Sequence, residues 1–421
     1  LEKFIEDTKV IAVDYTGKKV ETVQKAHTAP ESVPASSMSR RVALLFAIAC
    51  GLAVANIYYA QPLLDAISSE FGITHSSVGV VITITQVCYA LGLLLLVPLG
   101  DFLNRRWLIT GQMILSVLAL IVVGTAPSST VLFIGIAVVG LLAVVTQTLV
   151  AFAATLAASA ERGRVVGLVT SGIVIGILLA RSFAGVLTDL AGWRSVYLVS
   201  AALTLIMACV IFRVLPHDEP KKESISYLQL LRSMLTLFAQ ERILRIRAAL
   251  ALMIFTAFSI LWTSLVLPLS APPLSLSHTA IGAFGLAGVA GALAASRAGR
   301  LADRGLGQKT TGVALILLLI SWLPISYTQH SLLALVVGIV LLDLAVQAVH
   351  VTNQSMILTL RPEAGSRLTA GYMIFYSIGS ATGSIASTSI YAYAGWNGVC
   401  LLGAIVSALA LLFWSLTRHL K

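Results

Sequence analysis

Long apolar runs alternate with short polar breaks from residue 38 to the end of the chain. An apolar run of about 20 residues is long enough to cross a hydrocarbon core as a helix. Twelve such spans are predicted. The first six fall at 42–64, 78–100, 107–126, 131–158, 163–190 and 193–215. The second six fall at 246–270, 279–302, 309–327, 331–359, 366–394 and 396–417, and residues 216–245 are the one long polar connection.

The second six repeat the first. His75, Gly79, Arg164, Gly176, Gly192 and Trp193 are matched by His278, Gly282, Arg367, Gly379, Gly395 and Trp396, at a constant offset of 203 residues. An internal repeat made of membrane-length segments is a sequence signature of secondary transporters. The expectation is an all-helical membrane protein with one six-helix bundle over 38–215, a second over 246–421, and a pseudo-two-fold axis between them.

Composition agrees with this reading. Of 421 residues, 58% are hydrophobic and only 11% charged, against about 25% charged in a soluble protein. The net charge of +10 does not point to nucleic acid, because Arg and Lys concentrate in alternate loops. Arg40, Arg41, Arg105, Arg106, Arg162, Arg164, Lys221, Lys222, Arg297, Arg300, Arg304, Lys309, Arg361, Arg367 and Arg418 fall on one side, and Arg194 on the other. Positive loops stay in the cytoplasm, so both termini are expected there, in an inner membrane. Cys50, Cys88, Cys209 and Cys400 lie far apart inside predicted spans, which supports neither a disulfide framework nor a metal site.

Residues 1–37 stand outside the pattern, polar and mixed in charge, with no apolar core of a signal peptide. They are expected to be disordered or an adventitious extension before Met38. Within the long connection, Ile225, Leu228, Leu231, Leu235 and Phe238 recur at helical spacing, which suits a helix lying in the membrane interface or an ordinary linker helix. No Gly-rich phosphate loop ends in Lys-Ser/Thr, and no serine sits in a Gly-x-Ser-x-Gly setting. An enzyme, a direct ATP drive and a cofactor are not expected.

Short motifs carry a family likeness. At the break after span eight stand Gly299, Asp303, Arg304 and Gly307, with Lys309 close behind; at the break after span two stand Asp101, Arg105 and Arg106. Paired at equivalent places of a twelve-span repeat, they resemble the loop signature of the major facilitator superfamily. The stretch Asn56-Ile57-Tyr58-Tyr59-Ala60-Gln61-Pro62-Leu63-Leu64 is similar to the first span of its bacterial drug:proton antiporter branch. That branch carries Gly-x-x-x-Gly-Pro-x-x-Gly-Gly in span five, where this chain has Gly176, Ala180, Arg181, Ala184 and Gly185, so a charge replaces the proline. The resemblance implies alternating access, a latch role for Asp101, Arg105, Arg106, Asp303 and Arg304, and a cavity lined by spans one, four, seven and ten.

Two charges stand deep in apolar spans, where each costs about 2.5–3.5 kcal/mol on insertion scales. These are Arg181 in span five and Asp343 in span ten; the resemblance brings their spans together from opposite halves, and an ion pair between them is expected. Gln347, His350 and Gln354 share a face with Asp343, with Asn353 beside them. A carboxylate and an imidazole on one face suit proton binding, so Asp343, His350 and Arg181 are the candidates for coupling. Asn56, Tyr59, Gln86, Gln147, Trp262, Gln347, Asn353 and Tyr376 are the candidates for substrate contact.

The expected function is proton-coupled efflux of a small organic molecule by a monomer. An importer or facilitator for sugars or nucleosides remains open, as does a membrane sensor that keeps the fold without transport.

Overall fold

The computed structural model describes residues 12–13, 19–20, 39–158, 161–215, 227–288, 297–298, 300–361 and 364–419. The first 36 residues form a unit of their own, in which Ala12–Val13 and Lys19–Val20 pair as antiparallel strands. Everything that follows concerns the second unit, Ser37–Lys421.

Ten helical stretches among the described residues are long and apolar enough to cross a membrane. They account for spans one to seven, nine and ten, and for the last stretch, Gly365–Thr417, which contains spans eleven and twelve. Gly395 breaks that stretch at φ 60°, ψ −157°. Its repeat mate Gly192, at φ 79°, ψ 159°, joins Arg162–Ala191 to Trp193–Val214. A side chain is badly tolerated in that region of backbone space, so glycine at both joints lets one span turn directly into the next. Span eight starts with His278–Ala283 and Phe284–Gly288; residues 289–296 and 299 lie outside the described residues.

Local chemistry sets the helix ends. Ser39, Ser128, Ser277 and Ser331 each accept a backbone N–H three residues on, and Asn104 accepts from Arg106 and Trp107, relieving the unpaired donors of a helix start. Pro62 ends the regular part of span one at Tyr58 and passes the chain through a tight turn, Gln61–Leu63, into Leu64–Phe71.

Within each half, spans approach where side chains are smallest. A Cβ on Gly172 would lie 2.0 Å from the Ala47 carbonyl, joining spans one and five. In the second half a Cβ on Gly379 would lie 2.2 Å from the Leu252 carbonyl, joining spans seven and eleven. In lipid there is no hydrophobic drive between helices, so close van der Waals approach over small residues is the source of adhesion. The outward faces carry Leu190, Val313, Leu323, Leu333 and Leu401, all strongly exposed, as suits contact with acyl chains.

The halves meet at the face remote from the termini. A Cβ on Gly79 of span two would strike the Ser384 carbonyl of span eleven at 2.5 Å. A Cβ on Gly282 of span eight would strike the Arg181 carbonyl of span five at 2.4 Å, and one on Gly185 the His278 carbonyl at 2.2 Å. Toward the terminal face a cavity of about 310 Å³ lies between Val97, Arg105 and Thr155 of the first half and Met234, Arg367 and Ala370. The molecule is therefore shut on the far face and open toward the terminal one.

The linker helix is Tyr227–Gln240. It buries Leu230, Met234 and Leu237 against the protein, while Leu228 and Leu235 of the predicted stripe are exposed. The apolar positions thus split between two faces, one packed on the protein and one exposed.

Candidate functional site

At the centre of the seam between the halves, span seven contributes an indole that touches both deep charges. Trp262 Nε1 donates to Asp343 Oδ1 at 3.1 Å. The Arg181 guanidinium lies over the same ring, its Cζ 3.7 Å from the centroid. All three side chains are buried, with 2% to 5% of their surface exposed. The expected ion pair is replaced by this bridge: Arg181 and Asp343 do not meet directly, because Trp262 stands between them. An indole can do so because its edge donates a hydrogen bond while its face attracts a cation, an attraction of about 2 kcal/mol or more where water is excluded.

Span one completes the surroundings of Arg181. Gln61 Oε1 accepts from Arg181 Nε at 2.9 Å, and the Tyr58 and Phe258 rings lie 5.4 and 5.6 Å from the guanidinium carbon. Tyr58 also shares a short hydrogen bond with Tyr376 of span eleven, so a second contact crosses the seam. The Tyr376 ring packs edge-on against Phe255 at 4.0 Å.

The other candidates fall into separate places. Asn56 Oδ1 accepts from Ser200 of span six at 2.7 Å, and Tyr59 packs on Phe183 and Tyr197. Both point into the first bundle, away from the seam; Tyr58 and Gln61, three residues apart on the other face of the turn, are the ones that reach the centre. Gln147 of span four donates to Tyr89 at 3.4 Å, and Gln86 is buried one turn before it on span two. Gln347 is half-buried one turn beyond Asp343. His350 lies two turns from Asp343, bonded through Nδ1 to the Tyr372 hydroxyl at 2.9 Å and edge-on to Phe255.

Asn353 is spent on an arginine that the sequence reading passed over. Arg247 is 2% exposed, and its Nη1 donates to Asn353 Oδ1 and Thr311 Oγ1, each at 3.2 Å; Asn353 Nδ2 donates back to the Arg247 carbonyl. The sole signal was its position just inside the predicted start of span seven, where an arginine more often snorkels to the headgroups.

At the terminal-face break after span two, Arg105 donates to the Gly100 carbonyl at 3.0 Å and to Thr155 at 2.9 Å, and Arg106 lies over the Phe212 ring at 4.2 Å. Arg304 is exposed beside the turn at Gly305. The side chains of Asp101 and Asp303 lie outside the described residues, and so does Gly299. Among the described residues no cluster of His, Cys, Asp and Glu is arranged to hold a metal ion.

Two helical halves, closed on one face around a buried charged centre, have the architecture of a membrane transporter. The Major Facilitator Superfamily model matches residues 45–311 and 248–421, and the chain belongs to that family. It is 48% identical over 381 residues to the uncharacterized transporter YgaY of Escherichia coli O157:H7, covering 90% of this chain and 96% of that protein. It is 25% identical over 393 residues to the multidrug resistance protein MdtG of Salmonella paratyphi A, covering 88% and 94%. Among solved structures, a bacterial homolog of the human lysosomal transporter Spinster, inward-facing and occupied, superposes with a TM-score of 0.74 at 14% identity, over 90% of this chain and 97% of that one.

Proposed function

We propose that this transporter exports a small organic molecule across a bacterial inner membrane, driven by protons, with its terminal face in the cytoplasm. One observation carries the coupling: a single indole holds Asp343 of its own half through its edge and Arg181 of the other half through its face. A proton on Asp343 removes the charge that the indole N–H is bonded to. The ring is then freer to turn, and the cation it covers loses its cover. A substrate arriving beside the same ring biases the same contact, so proton and substrate are linked through one seam.

Export is supported by the likeness to a multidrug resistance protein. An importer or uncoupled facilitator would use the same fold. The discriminating test is a substrate panel in reconstituted vesicles with an imposed proton gradient, scoring direction and ΔpH dependence. Accumulation against the gradient that survives its collapse would overturn the coupling. Orientation is tested in a cysteine-free background with Gln240→Cys: an impermeant thiol reagent should leave it unlabelled in intact cells and label it in inverted vesicles.

A further inference from the structure

The buried charges of the described residues do not balance. Among the described residues the buried charged side chains are Arg181, Arg247 and Asp343, two cations against one anion. The partners of Arg247 are neutral, Thr311 and Asn353. Arg181 Nε is satisfied by Gln61, while its Nη2 is buried and has no acceptor among the described residues. An unmatched donor on a buried charged group is costly unless a ligand satisfies it. Arg181 also lines a recess of about 10 Å³ with Gln61, Trp262, Leu265 and Ile281, directly beneath the backbone contact of Gly282. The recess has room for about one water at most, so an anion can reach Arg181 only as the halves part.

We propose that Arg181 is the docking point for the carboxylate of an organic anion whose remainder is apolar or aromatic. With Nε held by Gln61 and the upper face covered by Trp262, the two terminal nitrogens form the edge that grips a carboxylate with paired hydrogen bonds. Tyr58, Phe258 and Trp262 surround that edge and suit a flat apolar body. Among the described residues the lining of the terminal-face cavity includes the cations Arg105 and Arg367, which an anion approaching from that side passes. This names the substrate class for the transport reading above, and rests on it only for the claim that the bound anion is moved.

The test is a thermal-shift titration of the purified full chain with naphthylacetate, its neutral amide and naphthylmethylamine, supplemented by acetate and phenylacetate. A ligand that binds only the folded state stabilises it by RT ln(1 + L/Kd), with L its free concentration, so Tm rises with the logarithm of that concentration above Kd. The carboxylates should act at concentrations about tenfold below the amide, the worth of one charge-assisted contact, and the amine should give no shift. Arg181→Gln should remove the carboxylate's advantage. Gln61→Glu, which supplies a carboxylate beside the guanidinium, should remove it too while keeping the cation paired, which guards against a misfolded Arg181→Gln. An equal response to amide or amine, no response to any carboxylate, or an undiminished response in both variants overturns the proposal. Carboxylate binding through Arg181 without ΔpH-driven accumulation would sink the coupling alone. ΔpH-driven accumulation of amines, with no carboxylate response, would sink this inference alone.

Discussion

His278, just ahead of the predicted span eight, ties the halves together by bridging to Asp65, just past the predicted span one, Nε2 to Oδ1 at 3.1 Å. Its other ring nitrogen lies 3.2 Å from Asp189 of span five, whose carboxylate also accepts the backbone N–H groups of His278 and Thr279. Two carboxylates of the first half thus converge on one imidazole and one helix start of the second, on the far face. The hydrogen bond that Asp65 accepts raises the imidazole's affinity for a proton, burial opposes it, and the charge of Asp65 and the hydrogen bond and charge of Asp189 add to the rise.

Closure of the far face should therefore depend on pH. A group whose pKa is raised in the closed state stabilises that state fully below its ordinary value, about 6.5. The contribution disappears as pH climbs through the raised value. In a cysteine-free background, labelling of Ile281→Cys from the far face should increase by roughly three- to tenfold across that window, as expected for a partly exposed ion pair of about 1 kcal/mol. His278→Gln should be labelled at the high level at every pH. A flat profile in the parent protein would remove His278 from the gate.

Replacing Gly282 by alanine should open the same face by packing rather than by charge. The added methyl would lie 2.4 Å from the Arg181 carbonyl, a backbone atom that cannot step aside. Overpacking of this kind costs about 1–3 kcal/mol, all of it in the closed state. Gly111→Ala, with nothing within 4 Å, is the matched control and should label like the parent.

Trp262→Phe should separate binding from coupling. Phenylalanine keeps a ring face for Arg181 but loses the N–H that reaches Asp343. Proton-driven accumulation should fall by about tenfold or more while energy-independent exchange persists. Asp343→Asn should abolish uphill transport with exchange retained. Unaltered ΔpH dependence in both variants would show that the coupling proton binds elsewhere.

Arg247→Met should lower the stability of the second half by about 1–3 kcal/mol, since Thr311 and Asn353 lose a buried charged donor. The fall would be read as a lower Tm in detergent. Substrate affinity should change little if Arg247 and Asn353 serve packing; a selective loss of affinity at unchanged Tm would return Asn353 to the substrate.

The repeat and the twelve spans were legible in the chain, because apolar length acts locally and needs no knowledge of neighbours, whereas the backbone conformation of Gly192 and Gly395 came only with the structure. The deep charges Arg181 and Asp343 were legible for the same reason, since a charge in an apolar run stands out wherever its partner lies. Which residues meet them was not. Asn56 and Tyr59 differ from Tyr58 and Gln61 only by rotation about one helix, and the approach of span six, through Ser200, decides which face is inward. Trp262 could be read as lining but not as the bridge between two charges, because that role depends on three helices from two halves placing an edge and a face at once. Arg247 lay within reach of the headgroups by residue count alone; Thr311 and Asn353, from spans nine and ten, hold it inside. Local periodicity sets each element, while contacts between residues far apart in sequence are fixed only when the helices close on one another.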